Sequence, residues 1–233
     1  SVKPGSHQLV VRSQGEIAAR TEIDLVSEVA GKINWVADEF AAGGFFREGE
    51  VLAKIDPRDF EVAITQAEAA VAQGRVGLER ELAEAKVALK EWEELGKGKA
   101  SSLLLREPQL AQAEADLRSA LANLQKAKLD LSRCSITAPF TGRIRLKHVD
   151  VGQFANRGTP IARVYAVDYV EVSLPLPLDE LDYLNLSFGQ SENQSHPEVV
   201  LRARLGATQH EWTGRLVRTA AEINTLTRML NGI

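Results

Sequence analysis

Residues 57–133 read PRDFEVAITQAEAAVAQGRVGLERELAEAKVALKEWEELGKGKASSLLLREPQLAQAEADLRSALANLQKAKLDLSR. Apolar or small residues recur at Phe60, Ile64, Ala67, Val71, Gly74 and Leu78, alternately four and three apart. After one extra four-residue step the series resumes at Leu82, Ala85, Leu89 and Trp92. That is a heptad seam with a single stutter, so the supercoil is expected to relax near Leu78–Leu82. A second series runs through Leu103, Leu110, Ala113, Leu117, Ala120, Leu124, Ala127 and Leu131. Between the seam positions stand mostly Glu, Lys, Arg, Gln and Ala, helix formers that suit a solvated face. Leu95 precedes Gly96-Lys97-Gly98, which predicts the turn of an antiparallel hairpin. Each arm is then on the order of 50 Å long. Asp56 fits an N-cap and Pro57 the first helical position. Pro108 either starts a shorter second helix or kinks a longer one, and the spacing back to Leu103 favours a continuous, kinked arm. Such a hairpin is a spacer or a reaching arm, and Leu89→Asp or Leu124→Asp is expected to unravel it.

The flanks of the hairpin repeat each other. Gly43, Gly49, Leu52, Ala53, Lys54 and Ile55 match Gly152, Gly158, Ile161, Ala162, Arg163 and Val164 at one fixed offset. Gly31-Lys32-Ile33 matches Gly142-Arg143-Ile144 with a two-residue slip. Strand-like alternation runs through Ile23, Leu25 and Val26, through Ile33, Trp35 and Val36, and through Val51–Ile55. Two half-motifs, each too small to hide its apolar face alone, are expected to pack together as one flattened β-sandwich. The hairpin is then an insertion, and its ends must lie side by side.

Beyond the repeat, Leu9–Ser13 is a short β-like run, and Val170, Val172 and Leu174 alternate as a strand. Leu178–Leu184 reads as a short amphipathic helix, and Val199–Leu205 and Trp212–Ala220 as two more strands. A further apparent strand begins in Thr225–Leu230. With residues 9–19 these predict a small antiparallel β-barrel that looks incomplete. The expected organisation is therefore elongated α+β: an N-terminal strand region at 1–20, half-motif one at 21–56, the hairpin at 57–133, half-motif two at 134–168, and a partial barrel at 169–233.

Composition narrows the function. A net charge of −4 over 233 residues, with both signs mixed, leaves no basic footprint for nucleic acid. No apolar run is long enough to span a membrane. The only methionine is Met229. The chain therefore reads as a piece of a longer protein, so the lack of an anchor in it says nothing about the intact one. Cys134 stands alone and forms no internal disulfide. His7, His148, His196 and His210 show no ligand spacing, so no metal and no cofactor is expected. Ser101, Ser102, His148 and Asp150 make no credible nucleophile set, and Glu91, Glu93 and Glu94 read as a solvated helix face. Gly74 and Gly77 allow either close helix approach or a hinge, and close packing is the simpler account.

The layout, together with Gly43 through Ile55-Asp56-Pro57 and Ile136-Thr137-Ala138-Pro139-Phe140-Thr141-Gly142-Arg143-Ile144, resembles periplasmic adaptors, the membrane fusion proteins of tripartite efflux pumps. Trp212–Val217 and Ile223–Arg228 resemble the barrel segment of adaptors that serve RND-type transporters. The resemblance implies a non-enzymatic protein of the Gram-negative periplasm, anchored to the inner membrane in its intact form. It implies a lipoyl-like β module split by a coiled-coil hairpin that points toward an outer-membrane channel. A barrel lies nearer the inner-membrane RND transporter, and six copies form a ring as a trimer of dimers. Many relatives carry an Arg, a Leu and a Ser at the hairpin tip that contact the channel. Here one alignment puts Lys90, Glu94 and Ser101 in those places and another Glu91, Leu95 and Ser102; either loses the Arg. The candidate partner-binding set is Lys90, Trp92, Glu94, Leu95, Gly96, Lys97, Ser101 and Ser102, although an aromatic on the seam such as Trp92 is more often core than anchor. Adaptors for ABC or MFS exporters, or for type I secretion, share the layout. A lipoyl or biotinyl carrier shares the lipoyl-like module alone, and would modify Lys32 or Lys54. In carrier domains, however, the modified Lys occupies the exposed turn that the hairpin replaces here.

Overall fold

The structure, a computed structural model, describes residues 10–95, 101–184, 196–224 and 227–233. In chain order the elements are β1 (Glu16–Ala19), β2 (Glu22–Val26), β3 (Gly31–Val36), β4 (Phe45–Phe46) and β5 (Val51–Ile55), then the helices α1 (Arg58–Leu95) and α2 (Glu107–Ser132). They continue as β6 (Ser135–Thr137), β7 (Gly142–Lys147), β8 (Phe154–Ala155), β9 (Pro160–Ala166) and β10 (Val170–Pro177), followed by a 3-10 helix at Leu178–Tyr183. The last four are β11 (Glu198–Leu205), β12 (Thr208–Arg215), β13 (Thr219–Asn224) and β14 (Met229–Gly232). The chain forms two units, Glu22–Tyr165 and Ser1–Thr21 with Ala166–Ile233.

Within Glu22–Tyr165 the repeat read from the sequence is a repeat of structure. One four-stranded sheet runs β2-β9-β7-β4 and the other β6-β5-β3-β8. Exchanging each strand for its counterpart in the other half turns the first order into the second, so each sheet is built from both halves. The matched glycines serve matched turns: Gly43 and Gly152 have φ of 84° and 95°, and Gly49 and Gly158 have 79° and 84°. These are left-handed conformations that a side chain disfavours. Backbone hydrogen bonds repeat as well. Gly49 N–H donates to Ala138 O at 2.8 Å, and Gly158 N–H to Ser27 O at 2.7 Å. Both sheets feed one apolar core, in which Ile33, Leu52, Ile55, Phe46, Ile144, Ile161 and Val164 are buried together.

The ends of the helical insertion lie side by side, as the repeat requires. β5 pairs antiparallel with β6, Ala53 opposite Ile136, and Ile55 N–H donates to Cys134 O at 2.8 Å. The Asp56 carboxylate accepts the Arg58 N–H at 3.2 Å and binds the Arg58 guanidinium, which holds its pKa down at about 2. At the other end Arg133 Nε lies 2.6 Å from Glu28 Oε2, tying the close of α2 to the β2–β3 loop. Beside it Cys134 is buried, and desolvation, reinforced by Asp130, Asp56 and Glu61, pushes its thiol up to about 11. Because the thiolate is the reactive species, Cys134 is expected to resist maleimide at pH 8 in the folded protein and to react once urea unfolds it. Intact mass before and after denaturation checks this.

α1 and α2 run antiparallel, with Gly74 facing Leu117. Three expectations change here. First, the seam of α1 has no stutter. Its partly or fully buried positions are Phe60, Ile64, Ala67, Val71, Gly74, Leu78, Glu81, Ala85, Ala88 and Trp92, an unbroken heptad series with Glu84 beside it. Leu82 and Leu89, expected on the seam, are 41% and 45% exposed. Second, the arms are unequal, 38 and 26 residues, or about 57 Å and 39 Å at ~1.5 Å per residue. Third, Pro108 starts a short helix in its first turn rather than kinking a longer one. Proline lacks the N–H that an interior position must donate but is at home in the first turn. Leu103, expected on the second seam, therefore falls in a turn and is 67% exposed. From Leu110 to Leu131 that seam is as expected. The predicted turn at Gly96-Lys97-Gly98 lies outside the described residues.

The two glycines of α1 differ. A Cβ on Gly74 would sit 3.3 Å from the Leu117 Cα, so this glycine permits close approach; one on Gly77 would meet nothing within 4 Å. Gly77→Ala is expected to stabilise the protein by about 0.8–1 kcal/mol, the helix-propensity difference. Gly74→Ala is expected to gain none of it. Urea denaturation of both variants measures the contrast.

In the second unit β1-β10-β14-β13 form one sheet, and β11 and β12 pair with each other from Glu198↔Arg215 to Leu205↔Thr208. The N-terminal strand is Glu16–Ala19, later than the apolar Leu9–Ser13 run, of which Val10–Ser13 is described and carries no strand. The predicted strand Trp212–Ala220 is two strands. It breaks at Leu216, which is buried and donates its N–H to Pro197 O at 3.0 Å, while Val217 N–H turns to Ile233 O at 2.8 Å. The strand foreseen in Thr225–Leu230 is Met229–Gly232.

Candidate partner-binding site

The outer end of the hairpin is built on α1. Lys90 and Glu94 face solvent on its last turns and approach each other to 4.0 Å, one helical turn apart. Trp92 is half-buried on the seam. Leu95 closes the described part of the helix, and Gly96 and Lys97 lie outside the described residues. On the return path Ser101 and Ser102 are exposed. Ser101 O accepts the N–H of Leu104 at 3.0 Å and of Leu105 at 3.1 Å, and Ser102 O accepts the N–H of Glu107 at 3.0 Å. The two serines thus organise the turns that lead into α2. The hydrogen bonds of the two serines are local, and Lys90 and Glu94 form an ion pair with each other.

Nothing in the amino-acid pattern points to the residue that joins the two arms here. Arg106 occupies the N-cap of α2 with φ 59° and ψ 22°, left-handed for a residue with a full side chain. Its Nη2 lies 2.7 Å from Glu81 Oε2 and 2.6 Å from Glu84 Oε2. Arg80 also binds Glu84, at 2.8 Å, which with Arg106 holds the Glu84 carboxyl below its usual range. A lone arginine twenty-odd positions from two glutamates carries no periodic signal; only the pairing of the arms reveals it.

Among the described residues no group of three or more His, Cys, Asp or Glu could hold a metal ion. Nor is any described helix long and apolar enough to cross a membrane. Lys54, the residue a carrier would modify, lies within strand β5 with its ammonium 5.3 Å from the centre of the Trp35 ring.

Residues 21–166, spanning both half-motifs and the hairpin, match the family model described as RND MFP, barrel-sandwich hybrid domain. The chain belongs to the RND membrane fusion protein family. Among this family, it is 33% identical over 80% of its length to the multidrug resistance protein MdtA of Proteus mirabilis (strain HI4320), of which the match covers 45%. It is 30% identical over 91% of its length to MdtA of Photorhabdus laumondii subsp. laumondii, covering 52% of that protein. The chain thus spans about half the length of the curated relatives it matches. In fold it resembles a putative efflux transporter from Bacteroides eggerthii DSM 20697, with a TM-score of 0.66 at 22% identity over 99% of this chain and 65% of that one. A MacA–MexA chimera containing the Pseudomonas aeruginosa MexA α-hairpin domain gives 0.65 at 19% identity, covering 95% and 73%. The solved structures speak for the fold of this membrane fusion protein alone.

Proposed function

We propose that the chain is the central part of a periplasmic adaptor that links an inner-membrane RND transporter to an outer-membrane channel for the export of small molecules. The observation that carries this is the β5–β6 junction. It closes the two halves into one body and forces 26 to 38 residues of paired helix outward from a single point. Family membership supplies the context of export. In this reading Glu22–Tyr165 is a lipoyl-like sandwich carrying a coiled-coil arm. The 169–233 region belongs to a barrel that faces the transporter, and six copies form a ring around the export path. Inner-membrane anchoring belongs to the intact protein. The end that meets the channel carries Lys90, Trp92, Glu94, Leu95, Gly96, Lys97, Ser101 and Ser102.

The test is site-specific photocrosslinking. A benzophenone amino acid at Lys90, Glu94 or Ser102 of the intact protein, expressed with its pump, is expected to capture an outer-membrane channel subunit. Capture of inner-membrane or cytoplasmic proteins alone from all three positions would sink the assignment of this end.

A further inference from the structure

The outer part of α1 has two seams to choose from. Leu78, Ala85 and Trp92 belong to both. One choice completes them with Leu82 and Leu89, the other with Glu81 and Ala88. Apolar burial alone favours the leucines by a wide margin. The structure nevertheless takes the second choice, leaving both leucines exposed and a glutamate on the seam. At this register stands an ion cluster. The Glu81 side chain, 22% exposed, and that of Glu84 share the Arg106 guanidinium, itself 32% exposed. Arg106 holds this position from an unfavourable left-handed backbone, immediately ahead of the helix that Pro108 starts.

We propose that Arg106 is a register lock. Its pairing with Glu81 and Glu84 holds the outer part of α1 in the Glu81–Ala88 register, and its release lets the helix turn to the Leu82–Leu89 register. The two differ by a rotation of about 50°, half the angle between successive helical residues. Such a turn swings Lys90 and Glu94 around the arm while Trp92 stays on the seam. Arg106 is therefore a positioning residue. If the adaptor reading holds, the lock decides which face of the arm's end meets the channel; the lock itself does not depend on that reading.

Single cysteines report the register in the purified chain with no partner present, using N-ethylmaleimide as the probe and native Cys134 as the unreactive internal control. With Arg106 in place, Leu89→Cys is expected to label several-fold faster than Ala88→Cys. Arg106→Gln is expected to reverse that order, and adding Glu81→Leu, which gives the seam an apolar residue at that position, to restore it. The same order of rates with and without Arg106 would overturn the proposal. So would faster labelling at both positions with loss of helical circular dichroism, because that marks a melted end rather than a turned one. Since no channel or transporter enters the assay, its failure leaves the adaptor reading to the crosslinking test.

Discussion

Val71→Asp is expected to open the hairpin. Val71 is 6% exposed and sits mid-seam, one turn before Gly74, which faces Leu117 on α2. A carboxylate there has no cation within the seam, and an uncompensated buried charge costs about 3–5 kcal/mol. For a chain of this size that corresponds to a fall of roughly 10 °C in the melting of helical circular dichroism. Leu124→Asp on the facing arm is expected to act in the same direction, less strongly because Leu124 is only half-buried. Leu89→Asp, which the stuttered seam made equally damaging, is expected to stay within about 0.5 kcal/mol of the parent, as a surface change does. A Leu89→Asp variant as unstable as Val71→Asp would contradict the unbroken seam. Under the adaptor reading proposed above, Val71→Asp in the intact protein is expected to abolish export at normal expression.

The second large effect is at Gly142, the first residue of β7. A Cβ there would lie 2.2 Å from the Tyr165 carbonyl oxygen and 3.0 Å from its carbon, both backbone atoms of β9, with the Phe140 ring 3.1 Å away. No side-chain rotamer relieves this overlap, so β7 and β9 must part. Gly142→Ala is expected to cost at least the upper end of the ~1–3 kcal/mol typical of overpacking. Gly152 provides the contrast. Its φ is 95°, but its Cβ would meet open space, so Gly152→Ala pays only a backbone penalty of about 1–2 kcal/mol. Chemical denaturation ranks the two. Equal losses would mean that turn geometry, not the approach of β7 to β9, constrains these glycines.

The features legible in the sequence are those fixed by a single residue's own limits or by a period. The repeat showed through its glycines because a positive φ leaves few substitutes. The seam from Leu110 to Leu131 showed because nothing interrupts its spacing. The misread positions were decided by partners distant in the chain. Choosing Leu82 over Glu81 follows hydrophobicity, and the structure reverses it through Arg106. Leu103 kept the heptad spacing, yet Pro108 had already set where α2 begins. Trp212–Ala220 reads as one β run until Leu216 turns inward toward Pro197 O. Of the candidate site, the location at the arm's end was implied by the family resemblance, whereas the residue joining the arms came from the fold alone.

Because every sheet of the Glu22–Tyr165 unit draws strands from both sides of the insertion, the order of events during synthesis is constrained. A nascent chain that has emerged only as far as Ile55 holds no complete sheet and must wait for Ser135 onward. Closing so long an unstructured loop is entropically unfavourable, but helices form locally and fast. Zipping of α1 against α2 would deliver β6 to the edge of β5 already aligned. The rod that reaches outward in the finished molecule thus also serves, earlier in its life, as the splint on which its base is assembled.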